Sequence, residues 1–230
     1  MIDIHSHILP AVDDGSASNE HSLAMLKEAE RQGINKIVLT PHYRADYLPS
    51  SERLQTKFAE FKAFAAENGI RTELYLGQEI YAFDGLVKAL NSGKVLSVNG
   101  TKYVLVEFSL RQATDIAETV YMLVSHGYVP IVAHIERYGY ADIFTAKEVK
   151  EIGGLIQVNA DSVCGIKRHR YKRKVMALIK EGLVDFVASD VHYKRVNHMR
   201  AAYEKIEKKF GRETADKLFT ENAEKIIEGQ

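Results

Sequence analysis

A helical stretch that stops at a glycine and is followed by a short β-branched run recurs along this chain, and few folds can absorb that pattern. Ser18 or Asn19 caps a helix carrying Leu23, Leu26 and Ala29 at helical spacing, and Gly33 stops it before a strand at 34–40. Residues 51–68 repeat the pattern, ending at Gly69 before a strand at 71–76. A helix at 113–126 ends at Gly127 before 129–133, Gly153 and Gly154 precede 155–159, and Gly182 closes a helix at 173–181 before 183–189. With the runs 2–4 and 103–107, seven strands result. Alternating strands and helices predict an α/β fold with a mostly parallel sheet and right-handed crossovers. Seven such units in 230 residues favour a closed or nearly closed barrel in one domain, 1–230, with an open sheet as the alternative. The segment 198–230 reads as two helices broken at Gly211 and packed on the outside. No Gly-x-Gly-x-x-Gly follows the first strand and no P-loop occurs, so nucleotide folds lack their marker.

Charge and cysteine content narrow the class further. Lys+Arg and Asp+Glu both number 31, which gives no argument for nucleic acid or a membrane surface as partner. The single cysteine, Cys164, excludes an intramolecular disulfide framework and suits a reducing compartment. The N-terminus lacks the basic-then-apolar pattern of a signal peptide, and no uncharged apolar run approaches the ~18–20 residues of a membrane helix. A cytoplasmic domain without membrane insertion is expected.

The functional signal lies at the strand ends. In a parallel barrel, residues just past the carboxyl ends of the strands converge on one face. Here those positions hold His5 and His7, then His42, Glu79, Glu107, His134, Asn159, and finally Asp190 and His192. His21, His126, His169 and His198 fall on helices, where chance would put them. His5 and His7 in an extended segment share a face ~6.6 Å apart at Cα, close enough for one ion, and Asp190 and His192 repeat that spacing. Glu79 and Glu107 sit among apolar strand residues, where an unpaired carboxylate is costly. Two acids facing one cavity repel unless cations lie between them, which supports more than one metal. Imidazole and carboxylate without thiolate fit manganese, iron or zinc. Such sites suit hydrolysis. Arg137 and Arg195 each follow a rim histidine by three residues, and guanidinium suits bidentate recognition of a phosphoryl group, although either is also readable as a surface arginine.

These residues resemble a known family. His5-x-His7 with Asp13-Asp14-Gly15, Thr40-Pro41-His42, Gly77-Gln78-Glu79-Ile80, Ala133-His134-Ile135-Glu136-Arg137 and Ser189-Asp190-Val191-His192 are similar, over nearly the whole chain, to the polymerase and histidinol phosphatase (PHP) superfamily. Within it the chain resembles the bacterial tyrosine-protein phosphatases of capsule and exopolysaccharide gene clusters. The resemblance implies a distorted seven-stranded TIM-like (β/α) barrel and three divalent ions, usually manganese. One ion would be held by His5, His7, Glu79 and Asp190. A second would be held by Glu79, Glu107 and His134, with Glu79 bridging, and a third by Asp14, His42 and His192. Spacing within the family selects Asp14 over Asp13. The resemblance also implies attack of a metal-bound hydroxide on phosphotyrosine without a phosphoenzyme, with Arg137 and Arg195 on the phosphate. The implied partner is the phosphorylated, Tyr-rich tail of a cognate tyrosine kinase that regulates polysaccharide export.

Other readings compete. Cys164 and Arg170 satisfy Cys-x5-Arg, the spacing of thiolate phosphatases, but no His precedes the cysteine and no Ser or Thr follows the arginine. The same metal ligands would serve a small phosphomonoester such as histidinol phosphate, or a phosphodiester. A silent metal-binding or partner-binding domain is a third reading. Amidohydrolase barrels also begin with His-x-His, but they bridge metals with a carbamylated lysine where Glu79 stands here. The basic run 167–174 reads first as a solvated helix start and, more sharply, as a docking patch for an acidic phosphorylated tail.

Overall fold

The strands lie parallel throughout in the computed structural model, which describes residues 1–166 and 168–230; Lys167, the first member of the basic run, lies outside the described residues. Nine strands are found among them: β1 (Ile2–Ser6), β2 (Lys36–Leu39), β3 (His42–Tyr43), β4 (Glu73–Leu76), β5 (Glu79–Tyr81), β6 (Tyr103–Glu107), β7 (Val129–Val132), β8 (Leu155–Asn159) and β9 (Phe186–Ala188). They form two sheets, β1-β2-β4 and β3-β5-β6-β7-β8-β9. The two strands beyond the expected seven arise from breaks. Pro41 lacks the N–H a ladder requires, and the chain passes from β2 into β3 of the other sheet. At Gly77 it passes in the same way from β4 to β5, where a Cβ would press on Val38 and the Val98 backbone. Seven barrel positions remain. The circuit closes through a parallel bridge between Ser6 and Val191, flanked by His7 N–H donating to Val191 O (3.0 Å) and Asp190 N–H to His5 O (2.9 Å).

Burial on both faces of the strands follows from this closure. In β6, Tyr103 and Leu105 join a barrel-interior cluster with Ile2, Ile4, Val38, Ile131, Phe186 and Ala188, while Val104 and Val106 pack outward with the helices. The helices keep the expected punctuation. Ser18 caps Asn19–Arg31, Ser50 caps Ser51–Glu67 and Asp115 caps Ile116–Ser125. The helix expected from 173 begins earlier, at His169, and runs to Lys180, so the described part of the basic run is a helix start.

The C-terminal segment departs from expectation. Past Met199–Phe210, residues 212–228 continue helical through one π turn, and Ala223, Ile226 and Ile227 join the barrel-interior cluster instead of an outer layer. Asn222 donates to Asp185 O, Lys36 pairs with Glu224 at 2.6 Å, and Tyr103 donates to Gln230 O, all at the start of a strand. The last helix therefore closes the bottom of the barrel, opposite the strand ends. Hydropathy spacing gives an amphipathic helix but not the surface it meets. No helix among the described residues is long and apolar enough to cross a membrane.

Candidate metal centre

Alternation along the strands sets which side chains reach the top of the barrel. Glu107 continues the inward series of Tyr103 and Leu105, and Gln157 and Asn159 share one parity in β8, opposite to Ile156 and Val158, which pack outward. Two positions break the rule through the backbone. In β1 the register against β2 slips by one residue between Asp3 and Ser6, a bulge that turns His5 and His7 inward although Ile2 and Ile4 already face the interior. His134 follows the inward Ala133, and its left-handed conformation (φ 34°, ψ 51°) redirects the ring toward Glu79. Asp190 is left-handed as well (φ 49°). Each non-glycine residue so held costs on the order of 1–2 kcal/mol, strain that concentrates where a side chain must be aimed.

Glu79 is the hub. Its Oε1 lies 2.8 Å from His134 Nε2, and its Oε2 lies 3.3 Å from His5 Nε2, 3.2 Å from His7 Nε2 and 2.8 Å from His42 Nδ1. Donor atoms converge in four overlapping groups: His7, Asp14, His42 and His192; His5, His7 and Asp190; His5, Glu79 and His134; His42, Glu79 and Glu107. Within each group the atoms lie within 4.8 Å of one another. All nine residues expected as ligands are thus brought together. The grouping overlaps more than the three-way partition the resemblance implies, since His7 also reaches the Asp14 group and His42 the Glu107 group. Asp14 is partly open to solvent at the mouth, with Oδ1 3.4 Å from His42 Nε2 and 3.5 Å from His192 Nε2. Asp13 instead turns away: its Oδ2 accepts from His7 Nδ1 (2.8 Å) and from His42 N–H (3.0 Å). Gly15 makes this loop possible, because a Cβ there would collide with the His7 carbonyl oxygen and Cβ.

Two orienting groups, Gln157 and Asp3, were not singled out from sequence, whereas Asn159 was placed at its strand end without a partner. Gln157 Oε1 lies 3.1 Å from His5 Nδ1 and accepts from His134 N–H. Asn159 Nδ2 donates to Asp190 Oδ2 (2.7 Å), and Asp3 Oδ1 accepts from the backbone of His5 and Ser189. Gln157 carries the only advance signal, a polar residue within an apolar strand run that shares the parity of Asn159.

The arrangement fits divalent cations. With His5 Nδ1 facing Gln157 and His7 Nδ1 facing Asp13, the two Nε2 atoms point at one another across 3.3 Å, a position where a shared cation replaces the proton that His7 otherwise holds. Among the described residues, Glu79 Oε2, Glu107 Oε2, His42 Nδ1 and His134 Nδ1 are buried without a well-angled hydrogen bond, the close approach of Glu79 to His42 included. Burial pushes Glu79 up, yet the His5 and His42 imidazoles and the His134 hydrogen bond hold it well below the usual carboxylate range. Burial, then repulsion from Glu79, pushes Glu107 up to about 8. Burial lowers His134 to about 4, keeping it a neutral donor. His7 is opposed by burial but raised well above its ordinary value by Asp13 and Glu79. Glu107 and His7 must therefore give up protons to bind a cation, so affinity rises with pH up to the Glu107 value of about 8. A competition titration is expected to show roughly tenfold tighter binding per pH unit, per proton released, between pH 6 and 8, with acid released into weak buffer. Equal affinity across that range with no proton release would contradict this picture.

Arg137 and Arg195 stand at the rim. Arg137 Nη1 donates to Asp190 Oδ2 (3.2 Å), and Arg195 Nη1 lies 3.1 Å from His192 Nδ1. Both line one open groove. His21, His126, His169 and His198 take no part in the four groups. Cys164 is also outside them, at the end of a short helix, and burial pushes its thiol pKa up, opposite to what a thiolate nucleophile requires. Arg170, the other half of the Cys-x5-Arg spacing, instead has its guanidinium over the Tyr171 ring.

Comparison with known proteins agrees with this geometry. Residues 1–228 match the family described as capsular polysaccharide synthesis, CpsB/CapC. The chain is 35% identical to the tyrosine-protein phosphatase CpsB of Streptococcus pneumoniae, covering 100% of this chain and 99% of that one. It is 33% identical to the tyrosine-protein phosphatase YwqE of Bacillus subtilis, covering 100% and 92%. A solved structure from a study of YwqE and CpsB, described as metal-dependent tyrosine phosphatases, superposes with a TM-score of 0.94 at 33% identity, over 100% of this chain and 95% of that chain. The phosphotriesterase of Mycobacterium tuberculosis (TM-score 0.63, 11% identity) shares the barrel fold.

Proposed function

The chain belongs to the CpsB/CapC family of capsular polysaccharide synthesis, and from that premise we propose that it is a metal-dependent protein-tyrosine phosphatase. The observation that carries the reading is a buried imidazole–carboxylate cluster centred on Glu79, with two arginines over it, in a chain that superposes along its whole length on a metal-dependent tyrosine phosphatase. The proposed ligands are His5, His7, Asp14, His42, Glu79, Glu107, His134, Asp190 and His192. Manganese is the proposed metal, three ions per chain, as the resemblance to the PHP superfamily implies; the donors, imidazole and carboxylate without thiolate, fit manganese, iron or zinc. When bound, such ions lower the pKa of a water toward neutrality and stabilise both the attacking and the leaving oxygen.

The chain's own residues then have distinct tasks. Asp13 and Gln157 fix the ring orientation of His7 and His5, so that Nε2 of each faces the cavity. Asn159 and Arg137 hold Asp190 Oδ2 from two sides. Arg137 and Arg195 are placed to receive the phosphoryl oxygens, and the groove beside them to receive peptide. Overall, water cleaves the phosphorus–oxygen ester bond, and the products are inorganic phosphate and the tyrosine hydroxyl, which takes up a proton.

We assign the phosphorylated, tyrosine-rich tail of a cognate bacterial tyrosine kinase as substrate, in keeping with the family's link to capsule synthesis. The one free cysteine suits a reducing compartment, and we place the enzyme in the cytoplasm. The test compares kcat/KM for a phosphotyrosine peptide with that for histidinol phosphate on manganese-loaded protein. The reading expects the peptide to be preferred by at least about a hundredfold, since only it can fill the groove beside the rim arginines. Preference for histidinol phosphate would replace phosphotyrosine as the substrate while leaving the metal site in place.

A further inference from the structure

The groove that holds Arg137 and Arg195 does not end at them. It extends to Arg168, Arg170 and Tyr171, encloses roughly 610 Å³, and has no acidic residue among its described lining. Both added guanidinium groups lie over the Tyr171 ring, Arg168 at 5.7 Å and Arg170 at 5.2 Å from its centroid, so one aromatic side chain holds two cations at the groove wall. Their helix is pinned to the catalytic rim. Lys174 Nζ donates to the carbonyls of Ile135 (2.9 Å), Tyr138 (2.9 Å) and Ala141, which belong to the turn carrying Arg137. The basic run is thereby divided: Lys174 is spent on the scaffold, whereas Arg168 and Arg170 stay exposed on the groove side.

Four arginines along one groove exceed what a single phosphoryl group needs, since two already stand over the metal cluster. We propose that Arg168, Arg170 and Tyr171 form a second anion subsite, which takes an acidic or phosphorylated side chain flanking the scissile phosphotyrosine in the same peptide. The proposal rests on the phosphatase reading and adds a sequence preference to it. Two cations beside a ring face suit a carboxylate or a phosphate equally, and the peptide arms below separate them.

The test uses manganese-loaded full-length protein and the variant Arg168→Gln/Arg170→Gln, which keeps the side-chain stems and changes only exposed positions. Substrates are p-nitrophenyl phosphate and three phosphotyrosine peptides, with neutral flanks, glutamate flanks or a flanking phosphoserine. Wild type is expected to show a KM about tenfold lower for the anionic peptides than for the neutral one, eroding with added salt. The double variant is expected to lose that preference, with kcat and the small-ester KM unchanged within about twofold. The larger gain, from glutamate or from phosphoserine, identifies the natural group. No preference in wild type, or an equal rise in KM for all substrates in the variant, overturns the subsite. Anisotropy with non-hydrolysable phosphonate analogues of the same peptides reads the subsite without turnover. If the protein cleaves no phosphotyrosine yet binds the anionic analogues about tenfold tighter through these arginines, the phosphatase reading fails and the subsite stands.

Discussion

Replacing Glu79 with Gln is expected to lower kcat/KM for phosphotyrosine by about a thousandfold or more and to lower the metal content of the purified protein. Removing a group one layer out from a metal typically costs ~10–100-fold, and Glu79 is more central than that. One carboxylate lies within 3.3 Å of four imidazoles, those of His5, His7, His42 and His134. The amide keeps the shape but loses the charge that holds the neighbouring rings and any cation in place. It also removes the nearer of the two anions beside the His5–His7 contact, leaving only Asp190 Oδ1, at 3.8 Å and 3.5 Å from their Nε2 atoms. Metal analysis and turnover are read together. A Glu79→Gln protein with full metal load and more than a tenth of wild-type activity would remove Glu79 from the centre of the site.

Arg137→Lys is expected to cost about a hundredfold in kcat/KM with metal content nearly unchanged. Lysine restores the positive charge but not the planar fork that can hold Asp190 and still present N–H groups to a phosphoryl oxygen. The loss of one preorganised donor to developing charge is worth ~10²–10³ in rate. Because Asn159 still donates to Asp190, the ligand geometry is expected to survive. Activity of Arg137→Lys within about threefold of wild type would make Arg137 a surface residue with no part in catalysis.

The clustering of the candidate ligands was legible because barrel geometry turns strand ends into neighbours, so residues distant along the chain, such as His5 and Asp190, can be grouped without knowing any contact. Asp14 was separable from Asp13 only by family spacing; what spacing could not give is the loop folded over Gly15, which spends Asp13 on His7 and His42 and leaves Asp14 at the mouth. The bulge in β1 was not legible, since His5 and His7 alternate correctly whether they face in or out. Pro41 and Gly77 were visible as residues, but their effect, splitting two strands between two sheets, depends on which neighbour each half pairs with. The role of the C-terminal helix was hidden for a similar reason: Ala223, Ile226 and Ile227 specify an apolar stripe, and only tertiary packing directs it to the barrel floor. Gln157 and Asp3 show the limit for polar residues, whose value lies in hydrogen bonds to backbone and ring nitrogens that no spacing rule predicts.

On the proposed function, turnover depends on metal held by this cluster. That dependence is tested most directly by metal analysis of the purified protein, with phosphotyrosine turnover measured as isolated, after chelation and after manganese return, in wild type and in Cys164→Ser. More than one divalent ion per chain is expected, with activity that disappears on chelation and returns with manganese, and with no difference between the two proteins. Turnover that survives complete metal removal but is abolished by Cys164→Ser would contradict it.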